Sequence, residues 1–289
     1  MTTRKDPARI ALAVLAYAVI YYALDGYFFE PLFYWAGGLL AAGTVGRLLA
    51  AGFANWLALR IFENGALPAI GLPLNRSAAD NLGFGLLGGI GSACLVLAPP
   101  LLLGAAHFTS SAERPSSGTL PFVTLLLIAG AIAEEMLFRG YGFQVLLAAI
   151  GPYATILPIS ILFALLHGVN PSATWFALVN TAGFGALFGY AFLRSRDLWL
   201  PIGLHFGWNF TLPLFGANLS GFTMRVTGHE MAWTASKLWS GGDYGPEASI
   251  LTSAVLIVLF VYVGKAPLRR QHSALTDPPA VDRPVRSES

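Results

Sequence analysis

The stretch "FVTLLLIAGAIAEEMLFRGYGFQVLLAA", residues 122–149, is long and apolar enough to cross a bilayer as a helix. It nevertheless contains three charged side chains, Glu134, Glu135 and Arg139. A charged side chain at the bilayer centre costs on the order of 2.5–3.5 kcal/mol on insertion scales. The sequence therefore predicts a membrane helix that carries a functional site.

The composition of the whole chain agrees with a membrane protein. Of 289 residues, 55% are hydrophobic and 11% are charged, whereas a soluble domain has about 25% charged residues. Seven further apolar runs are long enough to span a bilayer, at 8–24, 32–59, 82–106, 153–169, 173–193, 198–215 and 248–263. We predict an all-α, polytopic membrane helix bundle with about eight transmembrane helices.

The distribution of Lys and Arg predicts the orientation of this bundle. Two of the 17 basic residues, Arg47 and Arg139, lie inside spans, while twelve of the others fall on one side and three on the opposite side. Cytoplasmic loops are enriched in basic residues. We therefore predict a multi-pass integral protein of the cell (plasma) membrane, with a retained first helix, both termini in the cytoplasm and the lipid bilayer as a partner. The net charge of +2 argues against a nucleic-acid partner.

Helical geometry separates the two neighbouring glutamates. Glu135 and Arg139 are four residues apart with the acid first, which favours an ion pair on one helix face. Glu134 points about 100° away from Glu135 and has no basic residue three or four positions away. The pattern predicts a neutralised, structural Glu135 and a Glu134 that is free for chemistry.

Two other predicted spans carry polar side chains at the same spacing. "LFALLHG" (162–168) puts Phe163 and His167 on one face, and "LHFGWN" (204–209) does the same for His205 and Asn209. A single buried histidine is more often a hydrogen-bonded core residue than a catalyst. Together with Glu134, however, these residues form a carboxylate, two imidazoles and an amide in otherwise apolar helices, which favours an active site.

In this order, "EEMLFRG", "FALLH" and "HFGWN" match a Glu-Glu-x-x-x-Arg, a Phe-x-x-x-His and a His-x-x-x-Asn motif. The chain thereby resembles the CPBP family of CAAX-processing and bacteriocin-processing intramembrane endopeptidases, over roughly residues 120–215. The resemblance implies cleavage of a membrane-associated protein or peptide, near its C-terminus in CAAX-type processing.

The resemblance also implies roles for the motif residues. Glu134 would be the general base and His167 would orient the attacking water, while His205 and Asn209 would stabilise the oxyanion. Structural support would come from the remaining motif positions, Glu135, Arg139 and Phe163.

The same residues leave a metal site as an alternative. Glu134, His167 and His205 could be three protein ligands of a catalytic zinc ion. The sequence lacks the His-Glu-x-x-His motif of common zinc proteases, and no single helix supplies two ligands at metal spacing. We favour a water held by Glu134 and His167, with no cofactor, and keep zinc as the second interpretation.

Four parts follow along the chain. Residues 1–119 hold the first three transmembrane helices, 120–215 the protease-like core of helices four to seven, 216–265 an outer loop and the last transmembrane helix, and 266–289 a disordered cytoplasmic tail.

Two non-protease functions stay open: a catalytically inactive membrane scaffold or immunity protein, and a proton-coupled transporter, because transporters also use buried ionisable residues.

Overall fold

The structure, a computed structural model, describes residues 6–277, and of residues 36–41 the backbone alone. Its helices are α1 (Pro7–Leu24), α2 (Glu30–Ala41), α3 (Arg47–Ala58), α4 (Arg76–Leu102), α5 (Thr119–Arg139), α6 (Tyr141–Ile150), α7 (Pro152–His167), α8 (Trp175–Ser195), α9 (Trp199–Leu214), α10 (Lys237–Ser240) and α11 (Ile250–Lys265). Every predicted apolar run falls on one or two of these helices. The prediction of an all-α membrane bundle is therefore confirmed.

Within the described residues, five helical segments are long and apolar enough to cross a membrane. They are Pro7–Trp35, Ala42–Glu63, Arg76–Leu102, Thr119–Ile150 and Trp175–Ser195, and two shorter apolar helices are Pro152–His167 and Ile250–Lys265. The chain is an integral membrane protein.

Helices α4 and α9 pack closely because small residues line both faces of their contact. A Cβ atom on Gly203 would stand 2.6 Å from the carbonyl oxygen of Leu82, and one on Gly207 would stand 2.9 Å from that of Leu86. On the α4 side, a Cβ on Gly85 or Gly89 would collide with the backbone of α9. This is the small-xxx-small packing of membrane helices, and it holds α9 at a fixed height in the bundle.

The predicted span 122–149 is broken where α5 ends and α6 begins. A Cβ atom on Gly140 would clash with the carbonyl of Met136 and the side chain of Asn55, so only glycine fits there. Asn55 is fully buried, accepts from Tyr141 N at 2.7 Å and donates to Met136 O at 3.0 Å. The Asn55 side chain of α3 thus caps the end of α5 and the start of α6. The prediction of one continuous helix over 122–149 did not include this break.

The loops after α4 and after α9 are joined by a small antiparallel sheet. Strand β1 (Ala106–Ser110) pairs with β2 (His229–Trp233), with Ala106 opposite Trp233 and Ser110 opposite His229. The sequence analysis predicted no strand here. The pairing fixes the outer loop 216–247 to the loop after α4.

The predicted disorder of the tail from residue 266 is wrong for residues 266–277. Gln271 N donates to Ser195 O at 2.7 Å, and the side chains of Ser273 and Leu275 are buried. This segment packs across the ends of the helices because it carries an apolar side chain and satisfiable backbone groups. The rest of the predicted tail, 278–289, and the first five residues lie outside the described part.

Candidate active site

The ion pair predicted on α5 is formed, with both side chains fully buried. The Arg139 guanidinium donates to Glu135 Oε1 at 3.3 Å, and its other terminal nitrogen donates to the carbonyl of Gly185 on α8 at 2.8 Å. Gly185 lets the helices approach, since a Cβ there would meet Ser160 of α7 at 2.9 Å. A buried charge must be both paired and hydrogen-bonded to be tolerated, and both terminal nitrogens of Arg139 have acceptors, whereas its Nε and the Oε2 of Glu135 have none among the described residues.

Three aromatic rings surround the Arg139 guanidinium. The distances from its carbon to the ring centroids are 5.0 Å for Phe163, 5.3 Å for Phe188 and 5.7 Å for Phe138. Such placements lie within the range of cation–π attraction. The rings add to the attraction for the charge and fix its position between α5, α7 and α8.

Glu135 has a second partner that its spacing from Arg139 did not predict. Its Oε1 also receives a hydrogen bond from Nδ1 of His205 at 3.0 Å. The ring of Phe188 stacks on the His205 ring, with centroids 5.0 Å apart and planes 16° apart. Glu135 therefore orients an imidazole as well as neutralising Arg139.

The tautomer of His167 follows from its backbone contact. Its Nδ1 lies 2.8 Å from the carbonyl oxygen of Phe163, one turn earlier on α7. A carbonyl oxygen only accepts hydrogen bonds, so Nδ1 carries the proton and Nε2 of the neutral ring keeps a lone pair. The Phe163 ring packs beside the imidazole with centroids 4.5 Å apart.

The two imidazoles converge on the other glutamate. Glu134 Oε2 lies 3.9 Å from Nε2 of His167 and 3.8 Å from Nε2 of His205. These separations exceed direct hydrogen bonds, and Oε2 is buried without a hydrogen-bond partner among residues 6–277. The Glu134 side chain as a whole keeps 30% exposure. A water molecule between the three atoms would satisfy the buried oxygen.

Asn209 follows His205 by one turn of α9. Its side chain is partly exposed, and its amide forms no hydrogen bond with any residue that the structure describes. An amide with both donors uncommitted can bind a developing oxyanion.

The spacing of the acid and the imidazoles also tests the zinc alternative. Two ligands about 2.0–2.1 Å from a tetrahedral zinc ion lie about 3.3–3.4 Å apart, which is shorter than the 3.8 and 3.9 Å found from Glu134. Within the described part of the chain, no cluster of three His, Cys, Asp or Glu side chains is placed to hold a metal ion. The donor atoms as they stand do not match a zinc site.

Two residues of this region, Phe188 and Asn55, have no motif in the sequence. Gly185 lies in "GFGALFG" (183–189), whose four-residue glycine spacing predicts close helix packing and no role in chemistry. A fully buried asparagine in a membrane helix was the available signal, because buried polar groups require partners.

Residues 116–211 match the model of the family described as type II CAAX prenyl endopeptidase Rce1-like. This match supports the resemblance to a CPBP/CAAX protease family over the matched segment. The match includes α5 to α8 and most of α9, and thus all three motifs, so the resemblance drawn from them is confirmed. At the family level, the match supports a CAAX-type intramembrane endopeptidase. A comparison with curated proteins finds no match to the chain.

Proposed function

We propose that the chain is an intramembrane endopeptidase of the cell membrane that hydrolyses a peptide bond through a water activated by Glu134 and His167. The observation that carries the proposal is the convergence of Glu134 Oε2 with Nε2 of His167 and His205 at 3.9 and 3.8 Å, in a partly open site. This arrangement supports a reaction with water better than a purely structural network, because the Glu134 side chain keeps 30% exposure whereas the side chain of Glu135 is fully buried.

The water would use both of its hydrogens in this site. One is accepted by Glu134 Oε2 and the other by the lone pair on Nε2 of His167, which leaves an oxygen lone pair free to attack the scissile carbonyl carbon. As the C–O bond forms, Glu134 takes the proton and the carbonyl electron pair moves to its oxygen. The same proton then goes to the leaving nitrogen as the C–N bond breaks. A positioned base contributes about 10²–10⁴-fold.

Asn209 and His205 would stabilise the oxyanion. Asn209 offers its uncommitted amide, and His205 offers Nε2–H. Because Nδ1–H of His205 is already donated to Glu135, donation from Nε2 requires the imidazolium form of this ring. Loss of one oxyanion donor costs about 10²–10³-fold in turnover.

The substrate we propose is a membrane-associated protein or peptide that is cut near its C-terminus, because the matched segment resembles CAAX prenyl endopeptidases. The test uses proteoliposomes and two quenched-fluorescent probes, a farnesylated peptide ending in Cys-aliphatic-aliphatic-X and its palmitoylated counterpart without a prenyl group. We expect wild-type cleavage of at least one probe, and a loss of about 10²-fold or more in Glu134→Gln.

The matched control is Glu113→Gln, which neutralises an acid that is 75% exposed in the loop after α4. It should cleave like the wild type. Turnover that is unchanged in Glu134→Gln would overturn the base assignment, and a stoichiometric zinc requirement in chelated, metal-analysed protein would overturn the metal-free water. Proton-driven uptake of a solute into the proteoliposomes, without cleavage of either probe, would instead support the transporter alternative.

A further inference from the structure

The end of the outer loop enters the bundle beside the candidate site. The turn Pro246–Ala248 precedes α11, and Asn180 of α8 donates to the carbonyls of Glu247 and Ser249 at 2.8 and 3.0 Å. Asn180 is itself held, since Ser253 donates to its Oδ1 at 2.7 Å. The turn is thus bound to α8 and α11 by buried hydrogen bonds and is part of the protein interior.

Glu247 is the acidic residue of this turn, and it is buried. Its Oε1 accepts from the indole N–H of Trp208 at 3.2 Å, while its Oε2 accepts from the backbone N–H and the hydroxyl of Ser220. The indole and backbone N–H groups can only donate, so both oxygens of the Glu247 carboxyl act as acceptors here. Glu247 therefore connects the middle of α9 to the outer loop.

Both ends of this connection adjoin the catalytic motifs. Trp208 directly precedes Asn209 and follows His205 by three residues, and its ring packs on Phe184 with centroids 4.7 Å apart. Ser220 precedes Gly221. The backbone of Gly221 lies against Pro171, and Pro171 is part of the loop that follows His167. One carboxylate thus joins the segments that carry His205, Asn209 and His167.

We infer that Glu247 is a positioning residue of the active site, which sets the rotation of the α9 face bearing His205 and Asn209 by holding the Trp208 indole. The inference rests on the proposed function and deepens it. Asn209 has no hydrogen bond of its own in the described structure, so its place depends on the residue before it. Small misplacements of catalytic groups cost up to about 10²-fold in rate.

The test compares two tryptophans on one helix. Trp208→Phe removes the indole N–H from Glu247, and Trp199→Phe removes an equivalent hydrogen bond, 2.8 Å to Pro73 O, at the other end of α9. Glu247→Gln and the double variant with Trp208→Phe complete the set. Turnover and KM are measured on the cleaved probe and normalised to folded protein, with wild type and Glu134→Gln in parallel.

We expect kcat to fall about 10-fold or more in Trp208→Phe and in Glu247→Gln, with KM within about 2-fold of the wild type. The double variant should fall no further than the worse single variant, because both remove one link. Trp199→Phe should keep its kcat. Falls that multiply in the double variant, or a kcat that is unchanged per folded molecule, would overturn the inference.

A second readout does not depend on cleavage. The ring ¹⁵N signals of labelled His167 and His205 should shift in Trp208→Phe and stay in place in Trp199→Phe. If the wild type and Glu134→Gln both leave the probes intact, the proposed function fails by itself, and the histidine signals still decide whether Glu247 positions the site. Signals that do not move in either variant would overturn the positioning role.

Discussion

The three linked side chains of Arg139, Glu135 and His205 yield a prediction in which the effect on stability differs from the effect on catalysis. Glu135→Met leaves a fully buried guanidinium without its counter-charge, and Arg139→Met leaves the carboxylate with His205 alone. Removing one partner of a buried pair costs about 3–5 kcal/mol in the free energy of unfolding. We expect each single variant to lose stability in this range.

The double variant Glu135→Met/Arg139→Met should be more stable than either single variant. Replacing a whole buried pair with apolar side chains of similar volume is nearly neutral. What remains is the N–H of His205 without its acceptor, which costs about 1–3 kcal/mol when buried. The sum of the single losses would be about 6–10 kcal/mol, so the double variant should recover most of it.

Activity should not recover with stability. His205 loses the carboxylate that fixes its ring, and misplacement of a catalytic group lowers activity by up to about 10²-fold. Denaturant unfolding in detergent micelles measures the first quantity, and turnover of the probe per folded molecule measures the second. A double variant that is as unstable as the two single variants combined would refute the ion-pair reasoning, and one with wild-type turnover would refute the orienting role of Glu135.

Two further predictions concern α9. Burial raises the pKa of Asp197, which is fully buried between α8 and α9, to about 6, despite hydrogen bonds from Asn81 and others that lower it. The unfolded carboxyl ionises near pH 4 while the folded one keeps its proton, so stability should fall by roughly 3 kcal/mol in total between about pH 3 and about pH 7 and then level off. Asp197→Asn should remove that part of the dependence of Tm on pH, and parallel wild-type and variant curves would contradict it. Gly203→Ala should cost about 1–3 kcal/mol and lower turnover, because its Cβ would push α9 off α4. Gly91→Ala, with open space around it, should be neutral or stabilising by up to about 1 kcal/mol in the same unfolding assay, and equal effects at both glycines would contradict the packing argument.

Local spacing predicted the parts of the fold and site that depend on one helix at a time. The apolar runs located the helices, and the four-residue spacing predicted the pair Glu135–Arg139, because neighbours on one helix are fixed by helical geometry alone. The convergence of Glu134 with His167 and His205 was predicted from motif order and family resemblance. Periodicity contains no information on how different helices face each other.

Features that join distant segments could not be read from spacing. The helix break at Gly140 depends on Asn55, which lies 85 positions earlier and has no motif. The sheet of β1 and β2 joins two loops that each appear polar and irregular. Glu247 appeared as one of several loop acids, and only its burial against Trp208 distinguishes it.

The network around Glu135 also has a consequence for biosynthesis. The carbonyl that receives Arg139 lies 46 positions later in the chain, and the imidazole that binds Glu135 lies 70 positions later. At translation rates of roughly 5–20 residues per second, the nascent α5 waits roughly 3–14 s for these partners. Until α8 inserts, the two charges have only each other, and Glu135 gains its imidazole only with α9. A chain that stops before α9 would leave polar groups facing lipid, so membrane quality control should degrade truncated chains faster than complete ones.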